Sequence, residues 1–541
     1  MNKLVPTSRL RSRTLWRSLS VPLIASMLLT ACSAGSGENT QPPRTGGTLN
    51  FAIGTDSGCV DPHQAGSSDT MYSLRQTVDS LLDQDFSTGE LVPWLAESWQ
   101  VSDDARTFTF RLRPNATFSD GTPVDAAAVK ASFDAIPGLG ALAIQATSYL
   151  EGYVGTTVVD DRTAAVSFAQ PNAQFLQATT TSSLGVVAPS TASRPAAERC
   201  SGGVIGSGPF VLTEYLRNRS VTLTKRQGYD WGSARWTKPG EAYLDTLVFP
   251  VIPEAGVRTG SLISGQVDAI GRVAQAEESA LAGADVTVQA YTIPGVGYNL
   301  GFNNSKPLFG DARVRQAIQI AVDRKQIVET VFSRGTNPAT SVLAKNTPGY
   351  VDLGAVLAVD IARAKRLLDE AGWVPRGGGI REKDGAQLSL KTVWFTTAAT
   401  FQPALELIQQ QLKDIGVELV LHQLQVAQFP ELIRSGDFDL FWGGNYSRAD
   451  PDALRTLYST KLRNAYRVPA TELEGLLDQQ AATLDPVARN RIVARIQELI
   501  VANAYVVPIV DQQSVLGVRT AVHDLRFAGA GDVHLHDTWK S

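Results

Sequence analysis

One run of alternating strand and helix patterns constrains the fold of this chain more than any other stretch. The run consists of apolar strand segments and amphipathic helix segments at 388–395, 402–415, 417–424, 429–435 and 438–443. Parallel strands need crossover connections of this kind, and such crossovers are right-handed in nearly all proteins. The run therefore predicts a parallel sheet covered by helices, which is an α/β architecture.

The length and composition bound the class of protein. The chain has 541 residues, of which 43% are hydrophobic and 19% charged, and its formal net charge is −4. This length exceeds one compact core and predicts roughly two to four domains. The sequence has no long charge runs, which argues against a nucleic-acid groove and a basic membrane surface. Three cysteines in so long a chain exclude a fold built on disulfides.

The N-terminal segment 1–31 has the pattern of a secretory signal. Its charged side chains are all basic: Lys3, Arg9, Arg11, Arg13 and Arg17. The apolar run at 19–29 that follows is too short to span a bilayer. Residues 29–32 resemble a bacterial lipobox, which predicts lipidation of Cys32; the alternative is an ordinary signal peptide with a chance cysteine. Residues 32–45, rich in Ser, Gly and Pro, are then a flexible tether, and the mature net charge is −4 − 5 = −9.

The stretch 93–130 has the most informative local pattern. Residues 93–98 read as a short helical piece, and residues 107–112 place apolar side chains at every second position. This alternation, with the polar turn at 103–105 before it, predicts a β-hairpin that contains a half-buried strand. Asp125 is the predicted N-cap of the helix that follows.

The identities of these residues carry a resemblance to a known family. LAESW at 95–99, TFTFRLR at 107–113 and FSDGTP at 118–123 closely resemble the signature of family 5 extracytoplasmic solute-binding proteins. These proteins are the peptide- and nickel-binding subunits of ABC importers. The glycine-rich element at 206–210 and the helices predicted after Asp311 and Asp323 are similar to the family as well.

The glycine-rich element at 206–210 has a rival interpretation as a phosphate loop. No Lys-Ser/Thr pair follows Gly208, and a strand follows where a phosphate loop needs a helix. The segment 138–143 fits a dinucleotide fingerprint loosely, but it follows a proline instead of a strand. Neither segment is interpreted as a nucleotide site.

The resemblance implies a periplasmic-binding-protein-like fold of the class II type. Two α/β lobes are joined by a hinge, and a third domain is inserted in the first lobe. The implied parts are a first lobe of 46–62, 199–295 and 505–541, an inserted domain of 63–198, and a second lobe of 296–504. The chain would cross between the lobes near Tyr298 and Tyr505.

In the fold implied by the resemblance, Cys59 and Cys200 flank the two ends of the inserted domain. The space outside the cytoplasmic membrane permits disulfides. We therefore expect a Cys59–Cys200 bridge, and the alternative is a pair of buried free thiols.

Patterns of catalytic and metal chemistry are missing from the sequence. Five histidines are scattered, and there is no HExxH, Cys-x-x-Cys or Gly-x-Ser-x-Gly motif. The segment 534–536, His-Leu-His, is interpreted as part of a solvated tail, and the alternative is a metal site on a strand face. The paired acids at 103–104 and 160–161 are turn residues. We expect no metal, no cofactor and no catalytic residue.

Two classes of function are weighed. The first, implied by the resemblance, is a lipid-anchored monomer on the extracytoplasmic face of the cell membrane. It would capture a peptide or other small polar solute and deliver it to the permease and ATPase subunits of an ABC importer, without contact to nucleic acid. The second is a secreted hydrolase with unrecognised carboxylates. The solute stays open, because family members take peptides, nickel chelates, sugars or opines.

The candidate ligand contacts lie at the ends of the predicted parallel strands. Trp394 and Trp442 stand at carboxyl ends, where open α/β sheets place their ligands. A role in the core is the alternative for Trp394.

The loop after Trp442 resembles a family loop in which an aspartate clamps the α-amino group of a peptide. This chain has Ser447 at that position, beside Asn445, Tyr446 and Arg448. A serine hydroxyl is only a neutral acceptor, so we expect a ligand that is not held by a free amine. Arg448 favours an anionic group if it faces the cleft; the alternative is a solvated loop arginine. Asp450 is expected to shape the turn.

Overall fold

The computed structural model describes residues 42–85, 88–377, 379–395, 398, 400–425 and 428–541. The predicted signal segment, Cys32 and the tether up to residue 41 lie outside these residues. Within the described ranges no single helix is long and apolar enough to cross a membrane. One pair of helical segments, Ala126–Ala135 and Pro137–Tyr149, bent by 56°, meets that test jointly by length and composition alone.

The first sheet contains strands from separate parts of the chain. Its spatial order is Val286–Thr292, Gln513–Arg519, Ala269–Gly271, Thr48–Ala52, Thr246–Pro250, Ser220–Lys225 and Phe210–Leu216. Thr48–Ala52 lies inside the sheet and pairs in parallel with both neighbours. Leu49 and Phe51 alternate along it and are fully buried, as expected for a strand with one face on a core.

The second sheet contains the β-α-β-α-β run. Its spatial order is Glu418–Leu424, Ser389–Phe395, Leu440–Gly443, Tyr298–Phe302 and Val506–Val510. The strand Ser389–Phe395 pairs in parallel with Glu418–Leu424 and with Leu440–Gly443. The predicted parallel sheet is confirmed for these three strands.

A third sheet lies within the segment predicted as the inserted domain. Its spatial order is Ala96–Val101, Thr107–Leu112, Thr163–Phe168 and Tyr153–Asp160. The predicted hairpin is confirmed, but the helical reading of 93–98 is wrong. Trp99 pairs opposite Phe110 in an antiparallel ladder, which makes Ala96–Val101 the first strand of the hairpin.

Smaller strand sets complete the described sheets. They are Leu82–Gln84 with Leu91–Pro93, Gly295–Val296 with Tyr446–Ser447, Val522–His523 with Trp539–Lys540, Arg526–Phe527 with Val533–His534, and the set Val374–Pro375, Arg381–Lys383 and Ala386–Gln387.

The helices pack on these sheets. The α-helices are Ser68–Leu74, Ala126–Ala135, Ile144–Tyr149, Phe175–Ala178, Pro189–Ala192, Ala196–Gly202, Ala255–Ile263, Gln275–Leu281, Ala312–Ala321, Arg324–Val331, Ile361–Glu370, Phe401–Lys413, Phe429–Ser435, Ala453–Tyr458, Glu472–Ala482 and Pro486–Ala502. Short 3-10 helices are Pro137–Ala143, Ser182–Leu184 and Pro307–Gly310. The side chains of Asp125, Asp311 and Asp323 accept backbone N–H groups at helix starts, so these three predicted N-caps are confirmed.

The chain passes between the first and second sheets twice. Residues 293–297 connect Val286–Thr292 of the first sheet to Tyr298–Phe302 of the second, and residues 511–512 lead back from Val506–Val510 to Gln513–Arg519. The second crossing therefore lies beyond the predicted 504/505 boundary, because Val506–Val510 pairs with Tyr298–Phe302 in the second sheet. We call 293–297 and 511–512 the two crossings.

The C-terminal segment is buried, which corrects the prediction of a solvated tail. The ring of His536 is 1% exposed and stacks on Trp236 at 4.2 Å between centroids. Its two ring nitrogens lie 2.8 Å from Asp537 Oδ1 and 2.7 Å from the carbonyl of Gly240. These contacts join residues that are about 300 positions apart in the sequence, so a local sequence pattern cannot predict them.

The expected bridge between Cys59 and Cys200 is present as a disulfide. Beside it the backbone N–H of Val60 donates to the carbonyl of Cys200 at 2.9 Å. A buried ion pair, Arg199 Nε to Asp61 Oδ2 at 2.8 Å, adds to the connection. The two ends of the segment predicted as the inserted domain are therefore fastened together.

Candidate functional site

The carboxyl ends of parallel strands define a candidate site on each of the two large sheets. On the first sheet, Thr48–Ala52 and Ala269–Gly271 run parallel and end beside Thr55 and Arg272. On the second sheet, Ser389–Phe395 and Leu440–Gly443 run parallel, and Leu440–Gly443 leads into the loop at 444–449. Ligands of open α/β sheets bind at such ends, so we call the space between these two edges the cleft.

The two predicted tryptophans are core residues of the second sheet. Trp394 is 5% exposed and Trp442 is 1% exposed, and both belong to one hydrophobic cluster. The ring of Trp442 lies 6.4 Å from that of Tyr298 and 5.8 Å from that of Phe401. The Nε1–H group of Trp442 has no hydrogen-bond partner among the described residues, which makes it a buried donor without an acceptor.

Asn445 and Ser447 are tied to the second crossing. The Nδ2 group of Asn445 and the hydroxyl of Ser447 both donate to Oε1 of Gln512, at 2.9 and 3.1 Å. The loop also pairs with the first crossing, since Ser447 lies opposite Gly295. A side chain at Gly295 would place a Cβ 2.2 Å from the carbonyl oxygen of Tyr446, and φ there is +112°, so this close approach requires glycine.

Arg448 points away from solvent and into the segment predicted as the inserted domain. Its Nη atoms donate to Oε1 of Gln174 at 2.8 Å and to the hydroxyl of Ser148 at 2.9 Å. Its guanidinium lies 4.6 Å from the ring centroid of Tyr149 and 4.9 Å from that of Tyr446. At 1% exposure it is not the solvated loop arginine of the alternative reading. It is a buried bridge between the loop and residues 148–174.

Arg448 belongs to a buried network of charges. Oδ2 of Asp452 lies 3.3 Å from Arg448, and Oδ1 of Asp452 lies 2.7 Å from Arg455. The two Nη groups of Arg489 donate to the two carboxylate oxygens of Asp450, each at 2.7 Å. Burial opposes ionisation of Asp452, but Arg455 and Arg448 outweigh it and hold the pKa of its carboxyl below its usual range. Both acids of this loop are therefore paired with arginines.

A cavity of about 290 Å³ borders the first crossing and the same loop. Pro294 and Ala449 form part of its wall, and Gln84, Tyr291 and Lys345 are among its other lining residues. Its wall thus combines residues of both predicted lobes, and its volume is at the lower end of small-molecule sites. Nearby, burial raises the pKa of the Asp511 carboxyl to about 7, against the opposing effect of the Lys345 backbone and charge.

Arg272 on the first sheet is a cleft residue that the sequence reasoning did not single out. It directly follows the strand Ala269–Gly271 and therefore lies at a carboxyl edge of the first sheet. No side-chain motif marks it. In the described residues no group of three or more His, Cys, Asp and Glu side chains could hold a metal ion.

Comparison with known proteins identifies the family of this chain. The model of bacterial extracellular solute-binding proteins, family 5 Middle, matches residues 90–465. The chain therefore belongs to the family 5 bacterial extracellular solute-binding proteins, the substrate-binding proteins of ABC importers, as its resemblance implied.

Relatives and solved structures cover nearly the whole chain. The oligopeptide-binding protein OppA of Mycobacterium tuberculosis is 25% identical over 559 residues, covering 95% of this chain and 92% of the relative. NikA from Brucella suis, solved in complex with Fe(III)-EDTA, superposes with a TM-score of 0.79 at 24% identity, over 92% of this chain and all of that one. AppA from Bacillus subtilis, solved with a nonapeptide, gives a TM-score of 0.74 at 19% identity, with 92% and 100% coverage. These structures confirm the periplasmic-binding-protein fold, and the relatives are binding proteins.

Proposed function

We propose that this chain captures a peptide or peptide-like solute between its two lobes and delivers it to the permease of an ABC importer. Two lobes joined by the crossings at 293–297 and 511–512 close on a solute that contacts both, because only the closed state offers those contacts. No residue is assigned a catalytic role. The solute leaves the protein chemically unchanged.

The cavity beside the first crossing is the observation that carries this proposal. Lys345 belongs to the predicted second lobe and Tyr291 to the predicted first lobe, while Gln84 lies in the predicted inserted domain. A solute held there would be contacted by both lobes. The loop at 445–449 borders this cavity through Ala449, and it is fastened to both crossings through Gly295 and Gln512. Closure and solute contact would therefore be coupled through that loop.

The residues of the loop have separate roles in this proposal. Trp394 and Trp442 form the apolar floor of the second-sheet edge, and Asn445 and Ser447 hold polar groups at its rim. Tyr446 and Arg448 fix the loop against residues 148–174, since the hydroxyl of Tyr446 donates to Ser148 at 2.8 Å.

The solute is not held there by a free amine. Ser447 offers a neutral hydroxyl that already donates to Gln512, and Asp450 and Asp452 are both occupied by arginines. A buried ammonium needs a carboxylate partner, and no acid of this loop is left to serve as one.

Calorimetry against a panel of dipeptides and tripeptides, each with a free and an acetylated N-terminus, tests this proposal. We expect micromolar or tighter binding of at least one peptide and an affinity that changes less than about threefold on acetylation, because no ion pair is lost. Tight binding that disappears on acetylation would contradict the role assigned to the loop.

A second candidate is a non-peptide solute such as a metal chelate, a sugar or an opine. The absence of a free carboxylate in the described loop to pair with an ammonium group also favours such a solute. The solved structure of AgaA with agropinic acid is among the fold neighbours. In the calorimetric panel, binding of such a solute with no response to any peptide would select this candidate.

We also propose that Cys32 is lipidated and holds the protein on the extracytoplasmic face of the membrane as a monomer. The lipobox-like residues before Cys32 and the tether up to residue 45 support this. In cell fractionation, a Cys32→Ala variant is expected to leave the membrane fraction, and retention there would contradict the anchor.

A further inference from the structure

The backbone of Arg272 is unusual for its position. It directly follows the strand Ala269–Gly271 and has φ of +58°, in the left-handed region that side-chain-bearing residues seldom adopt. Such conformations persist only where the surroundings impose them, and they concentrate at ligand sites. A glycine would be the favoured residue at this point, so the arginine is retained at a conformational cost.

The side chain of Arg272 is anchored at one end and open at the other. Its Nε lies 3.5 Å from Oδ1 of Asp69, which is fully buried, while the arginine side chain is 47% exposed. Asp69 is itself held by the hydroxyl of Thr55, which donates to Oδ2 at 2.8 Å. Neither Nη group of Arg272 donates a hydrogen bond to a described residue. The two Nη groups of Arg272 therefore lie at the cleft edge without an acceptor among the described residues.

The charges around Arg272 leave room for an anion. Arg258 lies on the other side of Asp69 and is buried, and its Nη1 donates to the carbonyls of Ile252 and Pro253 at 2.8 and 2.7 Å. Burial lowers the pKa of Arg258. The carboxylates of Glu277 and Asp69 oppose this lowering, and the positive charge of Arg272 adds to it. Arg272 is ion-paired with the fully buried carboxylate of Asp69, and Glu277 and Glu254 are further acids that act on Arg258.

Donors from the second sheet face the same region. The positive charge of Arg272 acts on the hydroxyl of Tyr298, whose pKa is raised by burial and partly lowered again by that charge. The ring of Tyr298 stacks beside Trp442, whose Nε1–H lacks an acceptor among the described residues. The interaction with Arg272 involves Tyr298, while Trp442 is 1% exposed and belongs to the core of the second sheet.

We propose that Arg272 binds a carboxylate of the solute at the first-sheet edge of the cleft and so sets a preference for anionic solutes. This inference rests on the proposed function and adds the chemical class of the solute to it. The planar guanidinium fork matches the two oxygens of a carboxylate. The anionic contact that the sequence suggested for Arg448 is thereby assigned to Arg272, since Arg448 is enclosed by protein groups.

The test uses two equimolar peptide libraries, from dipeptides to pentapeptides, one with free and one with amidated C-termini. Both are offered to the whole mature protein, and the bound peptides are quantified by native mass spectrometry. We expect the wild type to prefer free carboxylates by about ten- to a hundredfold, as for a charged hydrogen-bonded pair. In Arg272→Gln this preference is expected to fall to near unity, while binding of the amidated library is unchanged.

An Arg272→Gly variant distinguishes an effect on solute binding from an effect on folding. Glycine suits φ of +58°, which offsets part of the loss of the ion pair with Asp69, so this variant should still unfold cooperatively and lose the preference. Arg434→Gln, at a highly exposed arginine paired with Glu431 of its own helix, is the control and should keep it. Equal wild-type binding of both libraries, or a preference that survives in both variants, overturns this inference alone. Wild-type binding of neither library contradicts the proposed peptide function as well.

Discussion

Replacing both Cys59 and Cys200 by serine is expected to lower the free energy of unfolding by up to about 5 kcal/mol. The two residues are 141 positions apart, and a cross-link that closes so long a loop removes much of the entropy of the unfolded chain. The native contacts beside the bridge, such as the ion pair of Arg199 with Asp61, are untouched by the change. The effect therefore acts mainly through the unfolded state.

Urea unfolding at equilibrium measures this effect, with the wild type in reductant as the matched control. The Cys59→Ser/Cys200→Ser variant and the reduced wild type should share one lowered midpoint, and reductant should leave the variant unchanged. An unaltered midpoint in the variant, or two free thiols in the unfolded and unreduced wild type, contradicts the prediction.

Replacing Arg448 by methionine is expected to cost about 3 kcal/mol of stability. The change removes a fully buried guanidinium, takes from Oε1 of Gln174 its donor and from Asp452 one of its two arginines, and leaves Ser148 with Tyr446 as its partner. This loss of stability is at the low end of the range for breaking a buried ion pair, because Asp452 keeps its ion pair with Arg455 at 2.7 Å. Loss of this bridge leaves the hydrogen bond from Tyr446 to Ser148 as a remaining contact between the loop and residues 148–174.

A double-mutant cycle locates the energy of this bridge. Arg448→Met, Gln174→Ala and the double variant are compared by urea unfolding, with the exposed Arg434→Gln as a control that should change stability by less than about 0.5 kcal/mol. We expect a coupling energy of about 1 kcal/mol or more between Arg448 and Gln174. Strict additivity of the two single changes would show that the contact contributes nothing.

Local patterns predicted the elements that depend on nearby residues. The N-caps at Asp125, Asp311 and Asp323 follow from side chains within a few positions. The same reasoning failed at 93–98, where LAESW has residues compatible with a helix. Pairing with Thr107–Leu112 makes it a strand, because tertiary pairing outweighs weak local propensity.

The candidate site depended on contacts that no local pattern contains. Arg448 meets Ser148 across 300 positions and Gln174 across 274, so its burial could not be read from the loop sequence. Arg272 was missed because its signal is a backbone angle and an ion pair with Asp69, far away in sequence. The disulfide was foreseeable only through the resemblance, which implied that the ends of the inserted domain are neighbours.

Ligand-induced closure without turnover tests the central claim most directly. The mature protein is mixed with the best solute of the peptide panel and followed by small-angle X-ray scattering and intrinsic tryptophan fluorescence, after which the solute is recovered and weighed by mass spectrometry. We expect a saturable decrease in the radius of gyration of the protein and recovery of the solute at unchanged mass. Conversion of the solute to product, or saturable binding with no change in shape, would contradict a binding protein that closes on its cargo.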